Sequence, residues 1–201
     1  NEHIDVNSSS ELATAAQHEP LAKWLAQFQV KPDFDLSAVD TSGFFDEGAE
    51  ILGDHYPMMK EVLDRVKFNQ RKGYDSVYFE LAERSQKEGQ LFNELCRKLY
   101  GFSFFSRYNY NKQEKKLRLN LQSAPAIKSF FNGEWLEWYA LMQSLKILNE
   151  KKRSFSIARG MKVQFANEDL HEFDVFMLVN GNQPICIECK SGEFRESIGK
   201  Y

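Results

Sequence analysis

Four residues in the C-terminal third have the types and spacing to do hydrolytic chemistry: Glu137, Asp174, Glu188 and Lys190. Asp174 lies inside the otherwise apolar run 173–179, and Glu188 and Lys190 close a second run, 183–190. Ionised groups are rarely buried unless they are paired or hold a metal. Between the runs, Asn180-Gly181-Asn182 is a strong turn signal. A hairpin centred on Gly181 sets position 174 opposite position 188, with facing side chains about 5 Å apart. Glu188 and Lys190 then share one face of their strand, about 6.6 Å apart.

Two carboxylates that close repel each other unless a divalent cation sits between them. Oxygen ligands alone select a hard ion, Mg²⁺ or Mn²⁺. The expected metal set is Asp174, Glu188 and the main-chain carbonyl of Cys189. Such a centre suits phosphodiester hydrolysis, with Lys190 orienting the attacking water or stabilising developing negative charge. Glu137, one turn into a preceding helix, is a candidate further acid. The plainer alternative for Asp174, Glu188 and Lys190 is an ion pair on a partly solvated sheet. For Glu134 and Glu137 it is a favourable charge at a helix N-terminus.

The elements that must position these groups follow from periodicity. Residues 133–139 open a helix that runs to about Asn149, with Leu141, Met142, Leu145 and Leu148 on one stripe. Phe155, Ile157, Met161, Val163 and Phe165 alternate with polar residues, which predicts a half-buried strand with an irregularity at Gly160. Helix, strand, strand, strand is the order, and the short last loops predict an antiparallel meander behind one helix. His171 reads as a loop residue.

The blocks Gly133-Glu134-Trp135-Leu136-Glu137, Glu172-Phe173-Asp174-Val175 and Ile187-Glu188-Cys189-Lys190-Ser191-Gly192 resemble the PD-(D/E)XK nuclease superfamily. Within it they are most similar to nuclease domains of CRISPR ancillary effectors, which couple such a domain to a cyclic-oligoadenylate sensor. The resemblance covers residues 130–201. It implies an α+β fold of three-layer type, with a restriction-endonuclease-like core of a helix and a mixed sheet. It also implies that the acids matching Asp174 and Glu188 bind metal and that Lys190 is catalytic. Residues 193–201 would begin a helix that covers one sheet face, but the rest of the core's final helix and strand is expected to be missing; the apolar sheet surface left exposed would invite a second copy of the chain or a protein partner.

Upstream, residues 1–19 are polar and predict a disordered tail, and 20–128 predict a mainly helical module with a β-hairpin, ahead of a nuclease core over 129–201. A helix is expected from Pro20, with the proline in its first turn and Lys31-Pro32-Asp33 ending it. Another pair is expected around 47–52 and 58–72, broken at 53–57 and closed by Gly73. One long helix is expected over 76–99, with Gly89 as its weak point and Gly101 at its C-cap. Residues 102–121 predict a hairpin turning at 111–115. Its basic cluster, Arg107, Lys112, Lys115, Lys116 and Arg118, could hold phosphates while Tyr108 or Tyr110 stacks on bases; a solvated hairpin tip has the same composition.

A net charge of −3 argues against coating nucleic acid through bulk positive charge, though a carboxylate-rich site can coexist with a locally basic surface. No apolar run reaches membrane-spanning length and the N-terminus lacks a secretory pattern, so a cytoplasmic location without membrane contact is expected. Cys96, Cys186 and Cys189 cannot all pair. The C-x-x-C of the last two is not read as a zinc or redox site, because it lies on a strand with no second Cys/His pair nearby. The function expected is therefore a metal-dependent nuclease acting on DNA, with RNA second, in nucleic-acid defence, repair or mobile-element biology. The alternative is a non-catalytic adaptor that binds nucleic acid or a partner on a retained nuclease-like fold.

Overall fold

The computed structural model of the chain describes residues 5–34 and 44–191. Residues 5–19, expected to be disordered, instead carry structure. A 3-10 turn at Ser9–Leu12 sinks Val6 and Leu12 into the main core, and the Ser9 amide donates to Asp46 at 2.8 Å. Thr14 caps helix α1 (Ala15–Ala26), so Pro20 lies inside that helix and not in its first turn. Strand β1 (Lys31–Asp33) follows where only a helix stop was expected, and as an edge strand it tolerates Pro32.

Helices α2 (Phe44–Asp54) and α3 (Tyr56–Lys72) are separated at His55 alone, a tighter break than 53–57. Gly73 ends α3 in the left-handed region at φ 74°, as its position suggested. The expected helix over 76–99 is two elements, strand β2 (Ser76–Glu80) and helix α4 (Gln86–Gly101). The physical cause is legible locally. Val77 and Phe79 are buried while Tyr78 and Glu80 are exposed, a period of two, and Ser85 with Glu88 forms a reciprocal capping box. Gly89 therefore sits near the start of α4, and Gly101 is its last residue, not a left-handed cap.

Strands β3 (Phe105–Asn111) and β4 (Lys116–Leu121) form the expected hairpin, and β2 joins it to give a three-stranded antiparallel sheet in the order β2-β4-β3. A short helix α5 (Pro125–Ser129) and a π-turn (Phe130–Glu134) lead into helix α6 (Trp135–Glu150). Strands β5 (Phe155–Gln164), β6 (Leu170–Val179) and β7 (Gln183–Ile187) complete a second sheet, β1-β5-β6-β7. Its pairings are all antiparallel, so the described sheet is the meander and not mixed. His171 is in β6, paired with Val163, and not in a loop.

The class is α+β. Helix α1 covers one face of the four-stranded sheet through Leu21, Leu25, Ala158, Met161, Val163, Phe176 and Leu178. The other face, with Ile157, Val175, Met177 and Val179, packs on α6 and merges with the core of α2, α3, α4 and the three-stranded sheet. One continuous core thus crosses the expected 128/129 boundary. The helix expected over 193–201 lies outside the described residues. Among the described residues, no helix is long and apolar enough to cross a membrane.

Candidate active site

Asp174 owes its position to a kink shared by two strands. On β5, Ile157 faces the α6 side while Met161 and Val163 face α1. Residues an even number apart on a regular strand share a face, so parity flips between them. The flip falls at Gly160, whose φ is +59°, and no pairing joins Gly160 to Asp174 in an otherwise continuous ladder. On β6 the same flip separates Phe173, on the α1 side, from Val175, on the α6 side. Asp174 stands at that crossover, half-buried.

The β6–β7 ladder runs from Val179↔Gln183 to Val175↔Ile187. It is centred on Gly181, in the left-handed region at φ 74°, so Asp174 and Glu188 occupy the next register position beyond the last pair. There the strand ends, residues 188–191 carry no regular structure, and the Cys189 amide donates to Asp174 Oδ2 at 2.6 Å. Lys190 Nζ reaches Glu188 Oε2 at 3.3 Å. Asp174 is thus tied to the 188–190 segment through the Cys189 amide, and Lys190 is tied to Glu188.

Glu137 faces this patch from the first turn of α6. Burial pushes its carboxyl up to about 7, outweighing the opposing Arg159 charge, and the Asp174 charge raises it further. Arg159 Nη1 donates to Glu137 Oε2 at 2.9 Å, and its guanidinium lies 3.9 Å from the Trp138 ring centroid. Glu134 precedes the helix as its N-cap residue and makes no side-chain capping bond. Cys189 sits amid the cluster: burial, then the Asp174, Glu137 and Glu188 charges, push its thiol up to about 12. The Cys186 thiol is also raised, first by burial.

As to a metal, no group of three or more His, Cys, Asp or Glu side chains among the described residues is arranged to hold one. The donors at hand are two carboxylates and the Cys189 carbonyl, hard oxygens of the type that Mg²⁺ or Mn²⁺ takes, with solvent left to supply the remainder. The residues fit such an ion in chemistry.

Arg159 escaped the sequence reading, although a charged residue inside the apolar run 155–163 is the same signal that singled out Asp174. Lys67 of α3 was also missed. Its Nζ donates to Ser191 Oγ at 3.3 Å, next to Lys190, and burial, first of its causes, lowers its pKa. Nothing local in α3 marks it.

The basic cluster is elsewhere, on the other sheet. Arg107, Lys116 and Arg118 are exposed on β3 and β4, and Lys112 and Lys115 are exposed in the turn between them. Tyr108 is committed inward, stacked on Tyr100 and bonded to Asn93 at 2.6 Å, and Tyr110 packs against the core. The open aromatic on that sheet is Tyr78, with the Arg118 guanidinium 5.2 Å from its ring centroid. It was hidden by the reading of 76–99 as helix.

The sequence matches no family model and no curated protein. Two solved structures share the fold. The protein VC1899 from Vibrio cholerae superposes with a TM-score of 0.55 at 19% identity, over 88% of this chain and 45% of its own. Can2 from Sulfobacillus thermosulfidooxidans, in complex with cyclic tetra-adenylate, does so with a TM-score of 0.54 at 15% identity, over 88% of this chain and 42% of its own. The chain therefore spans less than half the length of either neighbour, and the likeness reaches well beyond residues 130–201.

Proposed function

We propose that this chain is a divalent-metal-dependent nuclease of PD-(D/E)XK type with a restriction-endonuclease-like core, acting in nucleic-acid defence. The observation that carries the reading is the 2.6 Å bond from the Cys189 amide to Asp174, which ties the strand acid to the Glu188-Cys189-Lys190 segment. The fold shared with Can2, itself bound to a cyclic oligonucleotide, supports the defence setting.

Asp174, Glu188 and the Cys189 carbonyl would hold the ion, and the bound ion would supply water activation and charge neutralisation at a phosphoryl group. Lys190, beside Glu188, offers a cation for charge that develops on the phosphate. Arg159 holds Glu137 toward the cluster, and the raised pKa of Glu137 leaves it able to take or give a proton near neutral pH. Arg107, Lys112, Lys115, Lys116 and Arg118 would guide the nucleic-acid backbone from the second sheet.

A second reading, the adaptor without turnover, is favoured by one observation: Glu188 is paired with Lys190 and Glu137 with Arg159, so two of the three acids already have a cationic partner. Incubation of the protein with single- and double-stranded DNA and RNA, in Mg²⁺, Mn²⁺ or EDTA, decides between them. Cleavage that requires the ion is expected. Cleavage surviving chelation would sink the metal mechanism, and no cleavage of any substrate would leave the adaptor.

A further inference from the structure

Beside the acidic patch, and sharing Lys190 with it, is a cavity of about 400 Å³ lined by Gly53, Tyr56, Trp135, Leu136, Tyr139, Lys190 and Ser191. We propose that this cavity receives an unpaired nucleobase of the substrate strand, so that the site acts on single-stranded nucleic acid. The inference rests on the nuclease reading and adds to it the class of substrate.

Size, wall chemistry and position all point the same way. The volume is within the roughly 300–1,000 Å³ of sites that enclose small molecules. The walls are aromatic: Tyr56 stacks on Trp135 with centroids 5.7 Å apart and planes 18° from parallel. Tyr56 is nevertheless 41% exposed, leaving open ring surface. Tyr139 is fixed at both ends. Its hydroxyl donates to Asp54 Oδ1 at 3.0 Å, and its ring lies so close to α2 that a Cβ on Gly53 would come within 2.3 Å of it. A glycine at that one helix position is what lets the ring form a wall.

The cations stand where a backbone would pass. Lys190 lines the cavity and pairs with Glu188, while Lys67 reaches Ser191 on the same rim. A base seated among the rings would thus place its own or the adjoining phosphate between two lysines and the acidic patch. Ring faces recognise ring faces, and in a duplex those faces are covered by the neighbouring bases. Only a strand whose bases are free, or a base turned out of its stack, can use such walls.

Stacking of this kind is worth about ten- to a hundredfold in affinity per base. The test is fluorescence anisotropy in EDTA, where nothing is cut, with labelled 12-mers: single-stranded DNA, single-stranded RNA, both duplexes, and an abasic DNA strand of the same length. Wild type should bind one or both single strands at least tenfold more tightly than duplex or abasic strand, the DNA and RNA arms telling which sugar is accepted. Tyr56→Ala, at an exposed position, should lose about ten- to a hundredfold on single strands and change little on duplex, and Tyr56→Phe should keep wild-type affinity. Duplex bound as tightly as single strands, or an abasic strand bound as tightly as a normal one, would overturn the proposal even if Tyr56→Ala failed to fold. The two readings fail separately. Preference for bases without cleavage in Mg²⁺ removes the nuclease and leaves the subsite, whereas metal-dependent cleavage with no base preference removes the subsite and leaves the nuclease.

Discussion

Arg159 lies between Trp138 and Glu137, its guanidinium over the indole at 3.9 Å and bonded to the carboxylate at 2.9 Å. With side chains only 10% and 19% exposed, the pair is largely removed from water. Breaking one half of such a pair costs more than removing both. Arg159→Met should therefore lower stability by about 2–4 kcal/mol at pH 8, and the double variant with Glu137→Leu should recover at least half of that. Urea unfolding of both variants reads this directly, and additive losses would show that the pair is not coupled.

The same carboxyl makes a prediction in pH. Its folded pKa, about 7, is above its ordinary value of 4.5, so between these values the native state holds a proton that the unfolded chain has released. This contribution is fully present below about 4.5 and is lost as pH rises through 7. Glu137→Gln should remove that pH dependence: the variant carries a constant cost for leaving Arg159 without its carboxylate, but the wild type should lose roughly 3 kcal/mol relative to it between pH 4.5 and pH 8. Melts in EDTA across this range check it; parallel curves would contradict it.

Neutralising a metal ligand distinguishes a site from an ion pair without measuring turnover. Asp174→Asn or Glu188→Gln should abolish cleavage yet leave metal-free stability within about 1 kcal/mol of wild type, because Asn and Gln can still accept from the Cys189 amide and Lys190 and the exposed Glu188–Lys190 pair is worth little. Mg²⁺ should then raise the melting temperature of wild type alone. Two destabilised variants beside a wild type indifferent to Mg²⁺ would mean that these residues are only an ion pair.

Gly160 should matter for its backbone and not for space. A Cβ there meets only Glu172 Oε1, at 3.9 Å, but φ is +59°. Gly160→Ala should cost about 1–2 kcal/mol and Gly160→Asn less, since asparagine tolerates the left-handed region. Both should lower kcat more than they raise KM, as Asp174 shifts at the shared kink. Equal losses for Ala and Asn would argue against a conformational cause.

The start of α4 can be tested with one substitution. Ser85→Ala removes a cap that accepts the Glu88 amide and should cost about 1 kcal/mol in urea unfolding. Were 76–99 one helix, alanine would be neutral or stabilising there.

The hairpin that carries Asp174 on one strand and leads into Glu188 from the other could be read from the chain because its information is local. Asn180-Gly181-Asn182 defines a turn, and a turn defines the register of the strands beside it. The helix behind it and the β3–β4 hairpin were legible for the same reason: each has one clean period and a marked end. Strand β2 was not, since five residues that alternate between faces become a strand only by pairing with β4, forty residues further on, and aromatic and leucine spacing beyond them can pass for a helix. Residues 5–14 look like a tail until Val6 and Leu12 find a core made by other segments. Arg159 beside Glu137, Lys67 beside Ser191, and Tyr56 on Trp135 join residues from separate elements, and no spacing along the chain encodes a distance between them. Those contacts exist only because one shared core sets α2, α3 and α6 against the sheet.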